Sequence, residues 1–203
     1  MPFSSEKGVE VMTIQWVGDL SIEDAKILQE VADKKNIVEF GCGGSTLIFA
    51  QSGANSIFSV ETDAEWIALT KERLNVLAQA ASVNFVPYDF YKPENADIVF
   101  VDGVDHLRLD FAIKMWPYLS QDGIMLFHDT KRFKDFQNAA WIMQMYHNEI
   151  RTIDVNHQNS NLTLIHKKPH APYVNWNETE GKPQWAYGIP QDMERTRLWP
   201  IEN

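Results

Sequence analysis

Four carboxylates stand where apolar runs stop: Glu39 in EFGCGGST, Glu61 in SVETD, Asp102 in FVDGVDH and Asp129 in LFHDT. Between the first of them and the apolar run that follows lie Gly41, Gly43 and Gly44. Glycines there strip side chains from the turn, so the backbone can approach a ligand closely. The spacing is neither the G-x-G-x-x-G of a dinucleotide fold nor a P-loop, because no Gly-Lys-Ser/Thr follows. An acid two residues before the first glycine is awkward for a phosphate and comfortable for a cation. Glu61, about 20 residues after the glycines, sits where a carboxylate can accept both hydroxyls of a ribose, which supports an adenosine-like ligand without choosing which one. Asp89, in PYDF, closes a third apolar run. Asp102 and Asp129, if brought together, would repel each other and raise one pKa unless something positive sat between them. A metal ion, a substrate amine or protonated His106 would serve. His106 has an ordinary pKa near neutrality and is also a candidate base.

These residues need a scaffold that brings strand ends together. SIEDAKILQEVADKK has Ser21 as N-cap and Asp24 three residues on, with Ile22, Ala25, Leu28 and Val31 on one helical face. GVEVMTIQW alternates before it like a short strand, and NIVEF after it is a β-branched run into the glycines. STLIFAQSG then reads as a helix ended by Gly53. The unit recurs: SIFSVE is a strand, and DAEWIALTKERLNVLAQA is a helix with Ile67, Leu74, Leu77 and Ala78 on one side. VNFVPYD and ADIVFVDG are strands, and DHLRLDFAIKMWPYL spaces Leu107, Phe111, Met115 and Leu119 at i, i+4. Gly123 opens the strand GIMLFHD, FKDFQNAAWIMQMYH is a helix, and RTIDVN and LTLIHK flank the polar HQNSN. The near-continuous apolar strands predict burial on both faces of a parallel sheet.

Alternating strands and helices predict an α/β fold. It is a Rossmann-like open sheet of about seven strands, mostly parallel, with an antiparallel C-terminal hairpin and helices on both faces. Ligands in such sheets sit beyond the carboxyl ends of the strands, where all four acids fall. The domain is expected to span residues 1–168, with residues 1–35 leading into it. Residues 169–203 form a separate extension, with five of the nine prolines and with Trp176, Trp185 and Trp199 among the seven tryptophans. That extension reads as an arm on the domain or a partner subunit, or as a lid.

The chain has 203 residues, a formal charge of -10 and a pI near 5.0. It lacks the basic field that neutralises nucleic-acid phosphates. One cysteine, Cys42, leaves no intramolecular disulfide and no cysteine-rich zinc site. With no apolar run of membrane-span length and no signal-peptide pattern, a cytoplasmic protein away from membranes is expected. Lys131, Arg132 and Lys134 near the mouth of the expected site would suit an anionic group on a substrate. Trp66, Trp116 and Trp141 fall in helices and read as packing.

E-x-G-x-G-x-S/T after the first strand resembles the cofactor loop of class I S-adenosylmethionine-dependent methyltransferases. The stretch from Asp97 to Thr130 resembles the small-molecule group related to catechol and caffeoyl-CoA O-methyltransferases, so the likeness spans residues 36–130. It implies S-adenosylmethionine as cofactor, held by Glu39, Gly41, Gly43, Ser45, Glu61, Asp89 and Asp102. It also implies Mg²⁺ or another divalent cation on Asp102 and Asp129, and a small-molecule acceptor methylated on oxygen. Two positions depart from the group. Asp105, followed by His106, stands where a lysine base is expected, and Thr130 stands where an asparagine ligand is expected. Asp102, Asp105, His106 or His128 would then handle the proton. A non-catalytic binding or assembly domain, or another nucleotide-binding Rossmann enzyme, remains the alternative, and the extension offers a route to a homo-oligomer.

Overall fold

The computed structural model describes residues 15–77 and 82–168. Most of the expected strand GVEVMTIQW, Ala78, and the extension 169–203 lie outside the described residues.

The elements are α1 (Ile22–Ala32), β1 (Asn36–Phe40), α2 (Gly44–Gln51), β2 (Ser56–Glu61), α3 (Ala64–Leu77), β3 (Val83–Pro87), β4 (Ala96–Val101), α4 (Asp105–Met115), β5 (Leu119–Phe127), α5 (Phe133–Met145), β6 (Ile150–Asp154) and β7 (Thr163–Lys167). The sheet has seven strands in the order β3-β2-β1-β4-β5-β7-β6. β1, β2, β3, β4 and β5 pair in parallel, and β7 runs antiparallel to both of its neighbours. The predicted hairpin is therefore present, and its second strand is the one inserted beside β5. Strand order reverses between β1 and β4, which opens a crevice at their carboxyl ends.

Side-chain alternation fills both layers. Ile37, Ile57, Ile98, Phe100 and Leu126 pack with α1 and α2 on one face. Val38, Phe40, Val60, Val99, Val101 and Phe127 pack with α4 and α5 on the other. On β4 four successive residues, Ile98 to Val101, are fully buried, which is why the strand reads as a continuous apolar run. Among the described residues no helix is long and apolar enough to cross a membrane.

Three local expectations change. The capping box forms: Asp24 N donates to Ser21 Oγ at 3.1 Å and Ser21 N to Asp24 Oδ2 at 2.8 Å. Ile22, however, is 60% exposed, and the buried face runs through Asp24, Ala25, Leu28 and Ala32. The face turns because Asp24 itself is drawn inward, accepting from Asn161 N at 2.7 Å. Leu119 starts β5 and does not continue the preceding helix, since Pro117 forces a 3₁₀ turn over Trp116–Tyr118. Strand pairing then skips across an irregularity, with Asp122 at φ 61°, and becomes regular at Ile124.

Candidate functional site

The glycine turn leaves β1 at Phe40. Gly41 has φ 97°, and a Cβ there would lie 2.7 Å from the backbone of Asp102 and Gly103. The turns after β1 and β4 thus touch backbone to backbone, which only glycine allows. Gly43 N donates to Thr46 Oγ1 at 2.9 Å. A Cβ at Gly43 would come 3.3 Å from the indole nitrogen of Trp66. The turn floors a cleft walled by Val17, Gly18, Asp19 and Leu20 before α1, by Glu61 and Trp66 after β2, and by Asp102, Gly103 and Val104 after β4. Gly41, Gly43, Ser45, Glu61 and Asp102, which the sequence resemblance assigns to the cofactor, all line this cleft. Among the described residues the lining carries three carboxylates, Asp19, Glu61 and Asp102, and no basic side chain.

Glu39 and Asp89 stand elsewhere. Glu39 faces its register partner Ser59 on β2 and the first turn of α2, so strand alternation points it into the α1/α2 layer. It is fully buried and accepts hydroxyl hydrogen bonds from Ser45 and Ser59, both at 2.7 Å, and from Thr46. Burial lifts its carboxyl to about 7 against the pull of those hydroxyls. Its effect on the cleft passes through Ser45 and through Thr46, which holds Gly43. Asp89 is exposed in a 3₁₀ turn after β3, the edge strand, outside the lining. Glu61 is oriented by backbone: Oε2 accepts from Cys42 N at 3.1 Å, and Oε1 accepts from Thr62 N at 2.5 Å and Asp63 N at 3.0 Å. Trp66, read from sequence as packing, is 41% exposed at the cleft wall and donates to Cys42 O.

Behind Asp102 lies a charge cluster that the sequence reading did not assemble. Arg108, on α4, is 6% exposed. Its Nε donates to Gly103 O at 2.6 Å, Nη1 to Asp135 Oδ1 at 3.0 Å, and Nη2 to Asp102 Oδ1 at 3.2 Å. His128, at the end of β5, sits between carboxylates, with Nδ1 3.1 Å from Asp102 Oδ1 and Nε2 3.6 Å from Asp24 Oδ2. Burial pushes the imidazole pKa down, but Asp102, Asp24 and Asp129 together carry it up to about 10. Burial likewise pushes Asp24 up, and His128, Ser21 and Asn161 outweigh it, bringing that carboxyl to about 2. Burial raises Asp102 against the opposing pull of His128 and Arg108. Asp129, at φ 62°, accepts from Arg132 and from Asn161 Nδ2, the latter at 3.0 Å. Asp105 and His106 are exposed in the first turn of α4, outside the cleft lining, and Asp105 pairs with Lys134 at 2.5 Å. Lys131 donates to Asn159 O at 2.7 Å, and Arg132 pairs with Asp129 and Asp135. The basic run is thus engaged with neighbours.

No protein-family model matches the chain, and no curated protein matches it in sequence. Solved structures do match in fold. A methyltransferase-like protein from Silicibacter pomeroyi superposes at TM-score 0.57 with 20% identity, covering 79% of this chain and 93% of that one. The O-methyltransferase from Bacillus cereus in complex with SAH gives 0.57 at 13% identity, over 74% and 83%. An rRNA methylase from Streptococcus thermophilus gives 0.53 at 17% identity, over 72% and 95%. The chain therefore has the Rossmann-like fold of these methyltransferases.

Proposed function

We propose that the chain binds S-adenosylmethionine in the acidic cleft and transfers its methyl group to an oxygen of a small-molecule acceptor. The observation that carries this reading is the cleft lining: a glycine floor, Glu61 at the tip of β2 and, among the described residues, three carboxylates with no basic side chain. A ligand with a sulfonium, an ammonium and a ribose suits that surface. A dinucleotide or nucleotide sugar, whose phosphates need cationic or helix-end partners, does not. The fold likeness supports the same reading. An RNA acceptor would require a basic field, and the chain carries a formal charge of -10.

In the transfer the acceptor oxygen bonds to the methyl carbon as the carbon–sulfur bond breaks, its electron pair passing to sulfur to leave S-adenosylhomocysteine. The protein's part is to align the two reactants and receive the acceptor's proton. Glu61 would accept from the ribose hydroxyls, and the glycine turn would lie beneath the bound cofactor. Asp102 is the carboxylate on the β4 wall, and Asp105 and His106 stand one turn further out. Because Lys131, Arg132 and Lys134 are already engaged, the reading assigns no anionic group to the acceptor.

Calorimetry tests it. S-adenosylmethionine and S-adenosylhomocysteine are expected to bind, and NAD and UDP-sugars are not. Binding of NAD in place of S-adenosylhomocysteine would overturn the assignment.

A further inference from the structure

Asp102, His128 and Asp129 each present a ligand atom within 4.8 Å of the others, a grouping able in outline to hold a metal ion. We propose that this grouping is a fixed-charge site and not a metal centre. The buried guanidinium of Arg108 stands where a cation would, positions Asp102 at the cleft wall, and makes methyl transfer independent of divalent ions. The charge assignment rests on geometry alone, and only its consequence for methyl transfer rests on the function proposed above.

Arg108 Nη2 lies 3.2 Å from Asp102 Oδ1 and 3.9 Å from Asp129 Oδ2, so one guanidinium bridges the two carboxylates a metal would have to bridge. Hard divalent ions need carboxylate oxygens at about 2.0–2.6 Å and keep further oxygen ligands or waters. Here three of the four carboxylate oxygens are occupied. Asp102 Oδ1 receives both Arg108 and His128, Asp129 Oδ2 receives Arg132, and Asp129 Oδ1 receives Asn161. His128 could ligate only as a neutral imidazole with a free lone pair. Its Nδ1, the nitrogen that faces the pair, is already taken up at 3.1 Å by Asp102 Oδ1, while Nε2 points the other way, 3.6 Å from Asp24 Oδ2 and without a hydrogen-bond partner among the described residues. Thr130, at the position where an asparagine ligand was expected, accepts from Thr163 Oγ1 at 2.9 Å and reaches Asn156 Oδ1 at 3.1 Å.

The carboxylates are also met without a metal: Arg108 approaches Asp102, Asp129 and Asp135, and Arg132 pairs with Asp129 and Asp135. Asp102, whose side chain is 24% exposed, lines the cleft, where a sulfonium ligand would complement it. Arg108 thus acts through Asp102, as a positioning residue. Its Nε bond to Gly103 O fixes the same turn that presses on Gly41.

The test is Mn²⁺ titration of the full-length, chelator-treated chain, followed by calorimetry and melting temperature with no cofactor or acceptor present. Its outcome is therefore separate from whether S-adenosylmethionine binds. The native chain is expected to show no saturable Mn²⁺ response. Arg108→Gln, which uncovers the carboxylate pair, is expected to gain a saturable one, and Arg108→Lys, which restores a positive charge, is expected to suppress it. A purely structural role for Arg108 would produce no such gain. If Arg108→Gln does not fold, the native titration decides. Saturable Mn²⁺ binding by the native chain that Asp129→Asn removes overturns the proposal, as does a folded Arg108→Gln with no Mn²⁺ response.

Discussion

Glu39 and Glu61 are the same residue type at neighbouring strand ends, and the parity of the strand separates their roles. Glu39 is the penultimate residue of β1 and turns sideways into a layer of hydroxyls, whereas Glu61 is the last residue of β2 and faces the cleft. Glu61→Gln keeps the side chain's shape but removes the charge that, under the proposed function, would strengthen a bond to a ribose hydroxyl. A charged hydrogen bond contributes about 1.5–3 kcal/mol. S-adenosylhomocysteine affinity should therefore fall about 10- to 100-fold by calorimetry, since each 1.4 kcal/mol is tenfold, while the variant still melts cooperatively. An unchanged affinity would remove Glu61 from the site. His128 makes a pH prediction. Its pKa rises from 6.5 to about 10 on folding, so the folded state binds the proton more tightly. The stability this contributes is complete below pH 6.5 and is lost as pH rises through about 10. Melting temperatures of the native chain and His128→Gln should therefore converge across that window, and parallel curves would refute the ion-pair role. Glu61 was legible in the sequence because a strand end and a spacing define it. Arg108 was not: in DHLRLDF it reads as the polar side of a helix. Its burial depends on Asp135, a partner 27 residues away on α5.

At the scale of elements, α1 does more than cover the sheet. Its capping box sets where the chain enters, and the residues just before it, Val17 to Leu20, form one wall of the cleft. Its third residue, Asp24, reaches His128 and Asn161. Ser21→Ala removes the cap acceptor and should lower stability by about 1 kcal/mol, within the usual range for N-caps. The shift should appear in the denaturant midpoint with an unchanged slope. Gly43→Val tests the facing wall. The new side chain would meet Trp66 at the cleft, so the expected result is a displaced indole, read as altered tryptophan fluorescence, together with weakened S-adenosylhomocysteine binding. Fluorescence and affinity both equal to the native values would show that the turn tolerates a side chain. The strands and helices themselves were readable because burial on both faces leaves a short unbroken apolar signal on β4, Ile98 to Val101, and on the second half of β5, Ile124 to Phe127. The wall at Val17 to Leu20 was hidden for the opposite reason. It has no periodicity, and only the close approach of Val17 to Gly44 brings it over the cleft. Asn161 was likewise hidden in a polar loop, HQNSN, that looked like a plain hairpin connection. In the fold that loop contains left-handed Gln158 and Asn159 and returns to the site through Asn161.

For the whole molecule, the direction of β7 decides where the C-terminal extension leaves the domain. Because β7 runs antiparallel to β5, its last residues lie beside the amino end of β5. Lys167 Nζ donates to Leu119 O at 3.0 Å, and Lys168 N to Glu149 O at 2.8 Å. The cleft lies at the other end of the sheet, beyond the carboxyl ends of β1, β2 and β4. A groove of about 470 Å³, lined in part by Tyr118, Ser120, Glu149 and Lys168, opens where the extension begins. A lid would have to run back past strands of five or more residues, on the order of 17 Å at about 3.3 Å per residue, before reaching the cleft. An arm that stays at its own end, or crosses to a second copy of the chain, needs no such return. Deleting residues 169–203 is therefore expected to leave the S-adenosylhomocysteine affinity of the remaining domain unchanged, and light scattering before and after the deletion tests whether the extension joins copies of the chain. A truncated protein that still melts cooperatively but has lost affinity for S-adenosylhomocysteine would place the extension over the cleft after all. A truncated protein unchanged in both affinity and association would leave it no part in either.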